Sequence, residues 1–99
     1  MVIVGGTFEM DPADRDRFLA GRQELMRASR AEAGCLEYTF AADPIVASRV
    51  VLFERWESQE ALDAHIAALR AGPPSSGPEV ATSTSSIIIY DVGGERPLG

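Results

Sequence analysis

The residues best suited to chemistry lie within positions 49–69, where an apolar strand runs through Trp56 into an amphipathic helix that carries His65. Trp56 is the only tryptophan of the chain, and His65 is its only histidine. A histidine side chain titrates near neutral pH, so it can accept a proton from a bound molecule. His65 is spaced with Leu62 and Leu69 on the apolar helix face, which predicts a ring pointing between helix and sheet. A structural core histidine, bonded to a carboxylate or carbonyl, is the alternative.

Aromatic side chains near His65 can form the walls of a pocket for a flat ligand. Trp56 ends the strand before the helix, and Tyr38 and Phe40 share one face of an earlier strand. Thr7 in the first strand can add a hydroxyl group. A plain core tryptophan and a strand threonine without a binding role are the alternatives for Trp56 and Thr7.

Two charged residues, Arg22 and Glu54, are predicted to reach the interior. Glu54 shares a strand face with Trp56, and burying a carboxylate without a partner is costly. Arg22 lies along the apolar stripe of the first helix. We therefore predict an ion pair between Arg22 and a carboxylate such as Glu54. The alternatives are that Arg22 extends to water or orients a substrate.

Composition argues against several classes of partner. The net charge of −6, from 15 acidic and 9 basic residues, is unlike that of proteins that bind nucleic acids or anionic membranes. No apolar run approaches the roughly 18 residues of a membrane span.

No ligand spacing indicates a metal, and no motif indicates a flavin or nicotinamide. A lone Cys35 and the lack of a recognisable signal peptide predict a cytoplasmic protein.

These residues are positioned by a predicted single domain over residues 1–92, with the order β-α-β-β-α-β. Alternating and apolar runs predict strands at residues 2–8, 36–40, 49–56 and 87–92. Cap residues predict one helix from Asp11-Pro12 to about residue 32 and another after Ser58. The order predicts a ferredoxin-like α+β fold, a four-stranded antiparallel sheet with two helices on one face. A Pro/Ser/Gly-rich loop over 70–84, either a lid or disordered, and a loose tail over 93–99 complete the chain.

The predicted strands are apolar on both faces. Val50 to Phe53 and Ile87 to Ile89 are apolar at consecutive positions, whereas two helices can cover only one face of the sheet. An exposed apolar patch of this size usually marks an interface. We therefore predict a homodimer that pairs sheet to sheet, and an unusually apolar monomer is the alternative.

Three segments resemble the antibiotic biosynthesis monooxygenase family. Residues 32–38, Glu-Ala-Gly-Cys-Leu-Glu-Tyr, resemble its E-x-G-C-x-x-Y junction. Glu54, Trp56 and the Ala61-Leu62 to His65 segment resemble its E-x-W-x-S-x-x-A-L-x-x-H signature, and the opening strand before Asp11-Pro12 also fits. The resemblance implies a dimeric α+β barrel.

The resemblance also implies a monooxygenase without a cofactor, acting on a quinol or polycyclic phenol. Such enzymes deprotonate the phenol, and the substrate carbanion passes an electron to O₂. His65 would then be the general base, Trp56 and Tyr38 would stack on the rings, and Arg22 would steady the phenolate. A non-oxidative isomerase or cyclase with His65 as acid–base, and a binding or interaction module without turnover, remain alternatives.

The chain departs from the family pattern at two places. Family members often continue past the His65 position with a second histidine followed by phenylalanine, where this chain has Ala71-Gly72-Pro73-Pro74. Haem-degrading relatives use a strand-one asparagine, a helix tryptophan and a ligating histidine. Here the first two positions are Gly6 and His65, and the third falls in the Pro/Ser loop. Haem degradation is therefore not expected.

Overall fold

The computed structural model describes residues 1–72 and 80–99. Its elements are β1 (Val2–Glu9), a 3-10 turn (Pro12–Asp14), α1 (Arg15–Ala20), α2 (Gln23–Arg30), β2 (Cys35–Ala42), β3 (Arg49–Trp56), α3 (Gln59–Ala71) and β4 (Ser83–Asp91). The strands of the described ranges form one antiparallel sheet in the order β2-β3-β1-β4. This confirms the predicted α+β, ferredoxin-like fold.

The first predicted helix is divided into separate pieces. The Asp11 carboxylate accepts a hydrogen bond from the Ala13 N–H at 2.9 Å and begins the 3-10 turn, as its cap sequence predicted. α1 then ends before Gly21, and α2 begins only after Arg22. Glycine inside a helix costs about 1 kcal/mol relative to alanine, which explains a break at this position. The prediction of one continuous helix to about residue 32 is therefore wrong.

The later elements are close to their predicted bounds. β3 has the predicted bounds, whereas α3 continues to Ala71 and β4 begins at Ser83, inside the predicted loop 70–84. Residues 73–79 of that loop lie outside the described residues, so both predicted alternatives, a lid or a disordered segment, stay predictions. The tail over 93–99 has no regular secondary structure. None of the helices in the described ranges has the length and apolarity that crossing a bilayer requires.

The core lies between the helices and one face of the sheet. Side chains alternate along each strand, so every second residue points toward the helices. The buried apolar residues are Val2, Val4, Met10, Phe18, Tyr38, Phe40, Val50, Leu52, Trp56 and Leu62. Glu54 and His65 are buried among them. Two ionisable side chains in an apolar layer indicate where a functional site should be sought.

The opposite sheet face is left largely uncovered by the described residues. Ile3 pairs with Tyr90 there, and Gly5 lies between Phe53 and Ile88. Val51, Phe53, Ile88 and Tyr90 are between 37% and 51% exposed. The sheet therefore has the two apolar faces that the sequence predicts, and the homodimer itself stays a prediction.

Candidate active site

A cavity of about 380 Å³ lies between the helices and the sheet. This volume is within the range of roughly 300–1,000 Å³ that is typical of small-molecule sites. The polar residues among its described lining are Tyr38, Glu54 and His65, and the remaining lining side chains are apolar. Leu69 on α3 and Ile89 on β4 line the cavity while staying about half exposed, which places them on its solvent side.

His65 reaches this cavity from α3. The helix begins at Ser58, whose hydroxyl oxygen accepts a hydrogen bond from the Ala61 N–H at 3.1 Å. Two turns later the His65 ring is only 2% exposed, and its Nδ1 lies 2.7 Å from Oε2 of Glu32. An ionised carboxylate can only accept a hydrogen bond, so a neutral imidazole ring beside it would carry its hydrogen on Nδ1. Nε2 is then an acceptor, and it is buried without a hydrogen-bond partner in the described part of the chain.

Aromatic rings pack against His65 on two sides. The ring centroid of Trp56 is 4.7 Å from that of His65, and the centroid of Tyr38 is 5.2 Å away. Tyr38 and Phe40 line the cavity as predicted, with centroids 5.8 Å apart. Trp56 is fully buried and is not among the lining residues, so it supports the imidazole ring instead of forming a cavity wall.

Glu54 is the second ionisable group of the cavity, directly opposite Tyr38 across β2 and β3. The Trp56 indole Nε1–H donates a hydrogen bond to its Oε1 at 3.0 Å. Burial raises the pKa of the Glu54 carboxyl, while this hydrogen bond opposes the rise. Burial also raises the pKa of Tyr38, so its phenol stays protonated at neutral pH and can donate a hydrogen bond.

The predicted ion pair between Arg22 and Glu54 is wrong. The Arg22 guanidinium carbon lies 4.3 Å from the ring centroid of Phe18 and 6.0 Å from that of Phe40, a cation–π arrangement. Arg22 sits in the break between α1 and α2, where the guanidinium can cover these rings and stay partly hydrated. Trp56, not Arg22, supplies the hydrogen bond that the Glu54 carboxylate needs.

Thr7 lies on the wrong face of the sheet for the predicted role. Val4 and Phe8 of β1 line the cavity, whereas Thr7 alternates with them and pairs with Val51 on the largely uncovered face. The structure thus brings His65, Tyr38 and Phe40 to the cavity, places Trp56 behind His65, and leaves Arg22 and Thr7 outside the described lining.

Glu32 is the residue that the sequence analysis missed, although it begins the Glu-Ala-Gly-Cys segment. The turn after it depends on Gly34, whose φ is +82°. A Cβ atom on Gly34 would lie 2.6 Å from the Cβ of Ala61 on α3. Only glycine lets the chain pass this close to α3 in a left-handed conformation, and the close approach brings Glu32 beside His65.

Comparisons with known proteins identify the family and agree with the fold. The sequence model of the antibiotic biosynthesis monooxygenase family matches residues 1–68. An uncharacterised protein of Synechocystis sp. is 33% identical over 64 residues, which are 65% of this chain and 44% of that protein. The chain therefore matches less than half the length of this relative.

Two solved structures share the whole architecture. A candidate antibiotic biosynthesis monooxygenase of Deinococcus radiodurans superimposes with a TM-score of 0.72 at 20% identity, over 100% of this chain and 99% of that one. The haem degrader MhuD of Mycobacterium tuberculosis was solved with two haems in its active site. It superimposes with a TM-score of 0.70 at 18% identity, over 98% of this chain and 100% of that one. Such identities show the fold alone. With its family model covering more than half of the residues, this chain belongs to the antibiotic biosynthesis monooxygenase family.

Proposed function

We propose that the protein is a cofactor-independent monooxygenase for a quinol or polycyclic phenol, with His65 as its general base. The observation that carries the proposal is the hydrogen bonding of the His65 ring, which lines the cavity. Its Nδ1 is hydrogen-bonded to Glu32, while its Nε2 is buried and has no hydrogen-bond partner among the described residues. An unprotonated imidazole nitrogen held in this way suits proton abstraction from a hydroxyl group.

The composition of the cavity supports an aromatic hydroxylated substrate. A quinol has apolar ring faces and polar hydroxyl groups at its edge. The cavity offers apolar walls such as Phe40 and Leu62, together with two polar lining residues, Tyr38 and Glu54. Exclusion of water from such a site strengthens each polar contact with the substrate.

The reaction balances with O₂ as the only co-reactant. His65 Nε2 takes the hydroxyl proton, and the electron pair of the broken O–H bond stays on the substrate. The electron-rich ring then reduces O₂ in one-electron steps, and a ring carbon forms a bond to oxygen. The O–O bond breaks, the ring carbon loses its hydrogen, and the second oxygen leaves as water with that hydrogen and the proton from His65. The product is a quinone carbonyl at that carbon.

Haem is not part of this proposal. Position 6, where haem-degrading relatives use asparagine, is glycine, and a Cβ atom added there would collide with the side chain of Ile87 and the backbone of Ser86. An asparagine side chain therefore has no space at this point of β1 in the present arrangement.

Oxygen uptake with dihydroxynaphthalene and naphthol, corrected for uncatalysed autoxidation, tests the proposal. With isotopically heavy O₂, one labelled atom should enter the product. His65→Asn should lower kcat by about a hundredfold or more, the usual contribution of a general base. Asp63→Asn, on the same helix and hydrogen-bonded only to Gln59 among the contacts described, is the matched control and should keep full activity. Equal oxidation by His65→Asn would refute the base assignment, and conversion without O₂ uptake would favour an isomerase or cyclase.

We also propose that two copies of the chain pair through the uncovered sheet face. The side chains of Val51, Phe53, Ile88 and Tyr90 give this face an apolar surface that a second copy can match by twofold symmetry. The occupant is a second copy because a domain of 99 residues gains stability by covering such a face. Sedimentation at micromolar concentration should show a dimer, and Phe53→Glu should shift it to monomer. A wild-type monomer would refute this assembly.

A further inference from the structure

We propose that Glu32 is a positioning residue that fixes the tautomer and orientation of the His65 ring. This inference rests on the proposed role of His65 as general base. Glu32 does not line the cavity and need not touch the substrate, so its effect must pass through the imidazole ring. Within residues 1–72 and 80–99, no other residue forms a hydrogen bond with that ring.

The geometry of the pair is that of a carboxylate and a histidine in a proton-transfer dyad. The separation of 2.7 Å between Nδ1 and Oε2 is typical of a strong, charge-assisted hydrogen bond. The ring is 2% exposed and the Glu32 side chain is 30% exposed, so the carboxylate faces water while the ring does not. A carboxylate oxygen at this distance can accept the hydrogen of Nδ1.

The backbone holds Glu32 in place on both sides. Its N–H donates to the Ser29 carbonyl at 3.1 Å, and its own carbonyl accepts from the Cys35 N–H at 3.2 Å. The carbonyl of Gly34 accepts from the Glu57 N–H at 2.8 Å, which ties the turn to the residues before α3. The carboxylate is thus presented to His65 by a rigid turn, and little conformational freedom is lost when the hydrogen bond forms.

The pair also explains how a buried ring can accept a proton. Once Nε2 has taken the hydroxyl proton of the substrate, the ring is an imidazolium ion in apolar surroundings, and an unpaired charge there is costly. The Glu32 carboxylate neutralises it at hydrogen-bond distance. Nδ1 keeps its hydrogen throughout, so the only bond broken is the substrate O–H and the only bond formed is Nε2–H.

Nuclear magnetic resonance of the imidazole nitrogens tests this directly, since His65 is the only histidine of the chain. In the wild type the neutral ring should carry its hydrogen on Nδ1. In Glu32→Gln the amide can donate to Nδ1, so the hydrogen should move to Nε2 in a large fraction of molecules. kcat should then fall by about 10²–10⁴-fold with KM changed less than about threefold, as expected when a base has the wrong tautomer.

Two further variants keep the test decisive. Glu32→Asp retains an acceptor and should restore the wild-type tautomer and part of kcat, which a merely structural role of Glu32 would not predict. Glu60→Gln removes an equal charge from an exposed position at the start of α3 and should change neither signal.

The outcomes separate the two proposals, because the tautomer is measured without turnover. An Nε2–H tautomer in the wild type, or an unchanged tautomer in Glu32→Gln, would overturn the positioning role. A tautomer that shifts as expected, in a protein that oxidises no quinol, would leave Glu32 positioning His65 and overturn the proposed oxygenase function.

Discussion

Replacing Gly34 with alanine should destabilise the protein strongly, because two separate penalties meet at this residue. Its φ of +82° is a left-handed conformation, which costs a residue with a Cβ roughly 1–2 kcal/mol. The new Cβ would also lie 2.6 Å from the Cβ of Ala61, well inside the contact distance of about 3.5–4.0 Å, so α3 or the turn must move. Overpacking of this kind costs about 1–3 kcal/mol. The free energy of unfolding should therefore fall by about 2–5 kcal/mol.

Urea denaturation at one fixed protein concentration measures this change, since any dimer makes the midpoint depend on concentration. Gly94→Ala is the matched control, because a Cβ on Gly94 would have no atom of the described residues within 4 Å. Adding Ala61→Gly to Gly34→Ala removes the collision but keeps the strained φ. A double-mutant cycle should therefore give a favourable coupling of about 1–3 kcal/mol. A Gly34→Ala effect no larger than that of Gly94→Ala would refute the reasoning that this turn holds Glu32 against His65.

Three further substitutions test other contacts of the site. Glu54→Gln keeps a carbonyl oxygen for the Trp56 N–H but removes the ionisable carboxyl. Because the folded pKa of Glu54 is raised, wild-type stability is lost as pH rises above the unfolded pKa of about 4 and through the folded pKa. The variant should therefore gain stability relative to wild type as pH rises above about 4, and a pH-independent difference in urea midpoint would contradict this. Trp56→Phe leaves the buried Glu54 without its donor and should lower the unfolding free energy by about 1–3 kcal/mol, more at neutral than at acidic pH. Ser58→Ala removes the cap of α3 and should cost about 1 kcal/mol in the same denaturation assay, whereas a change below a few tenths would show that the cap is not needed.

Periodicity was sufficient to predict the sheet and the last helix. The alternation of β3 and the face shared by Leu62 and His65 are local patterns that the structure reproduces. The same alternation already placed Thr7 on the face opposite Val4 and Phe8, so its assignment to the site contradicted a pattern visible in the sequence.

Other errors arose where one residue interrupts a regular pattern. The break at Gly21 changed the surroundings of Arg22, so a continuous helical face could not place its guanidinium. β2 shifts its register between Cys35 and Glu37, which puts Cys35 opposite Trp56 and leaves Leu36 41% exposed. A one-residue bulge of this kind gives no distinct signal in a single sequence.

The contact between Glu32 and His65 could not be predicted from sequence spacing. The two residues are 33 positions apart, and their pairing depends on how closely the turn at Gly34 approaches Ala61. Glycine at this position shows that a turn is needed but not which helix the turn will contact. The sequence therefore predicted that His65, Tyr38 and Phe40 reach one cavity, and the fold supplied the Glu32 carboxylate beside His65.

The most direct test of the central claim is the absorption spectrum of a naphthol bound to the protein without oxygen at about pH 7, where the free phenol is protonated. If His65 is the base of this cavity, the bound ligand should show the spectrum of the phenolate in the wild type and that of the neutral phenol in His65→Asn. A ligand that stays neutral in the wild type, or that ionises equally in both proteins, would contradict the account.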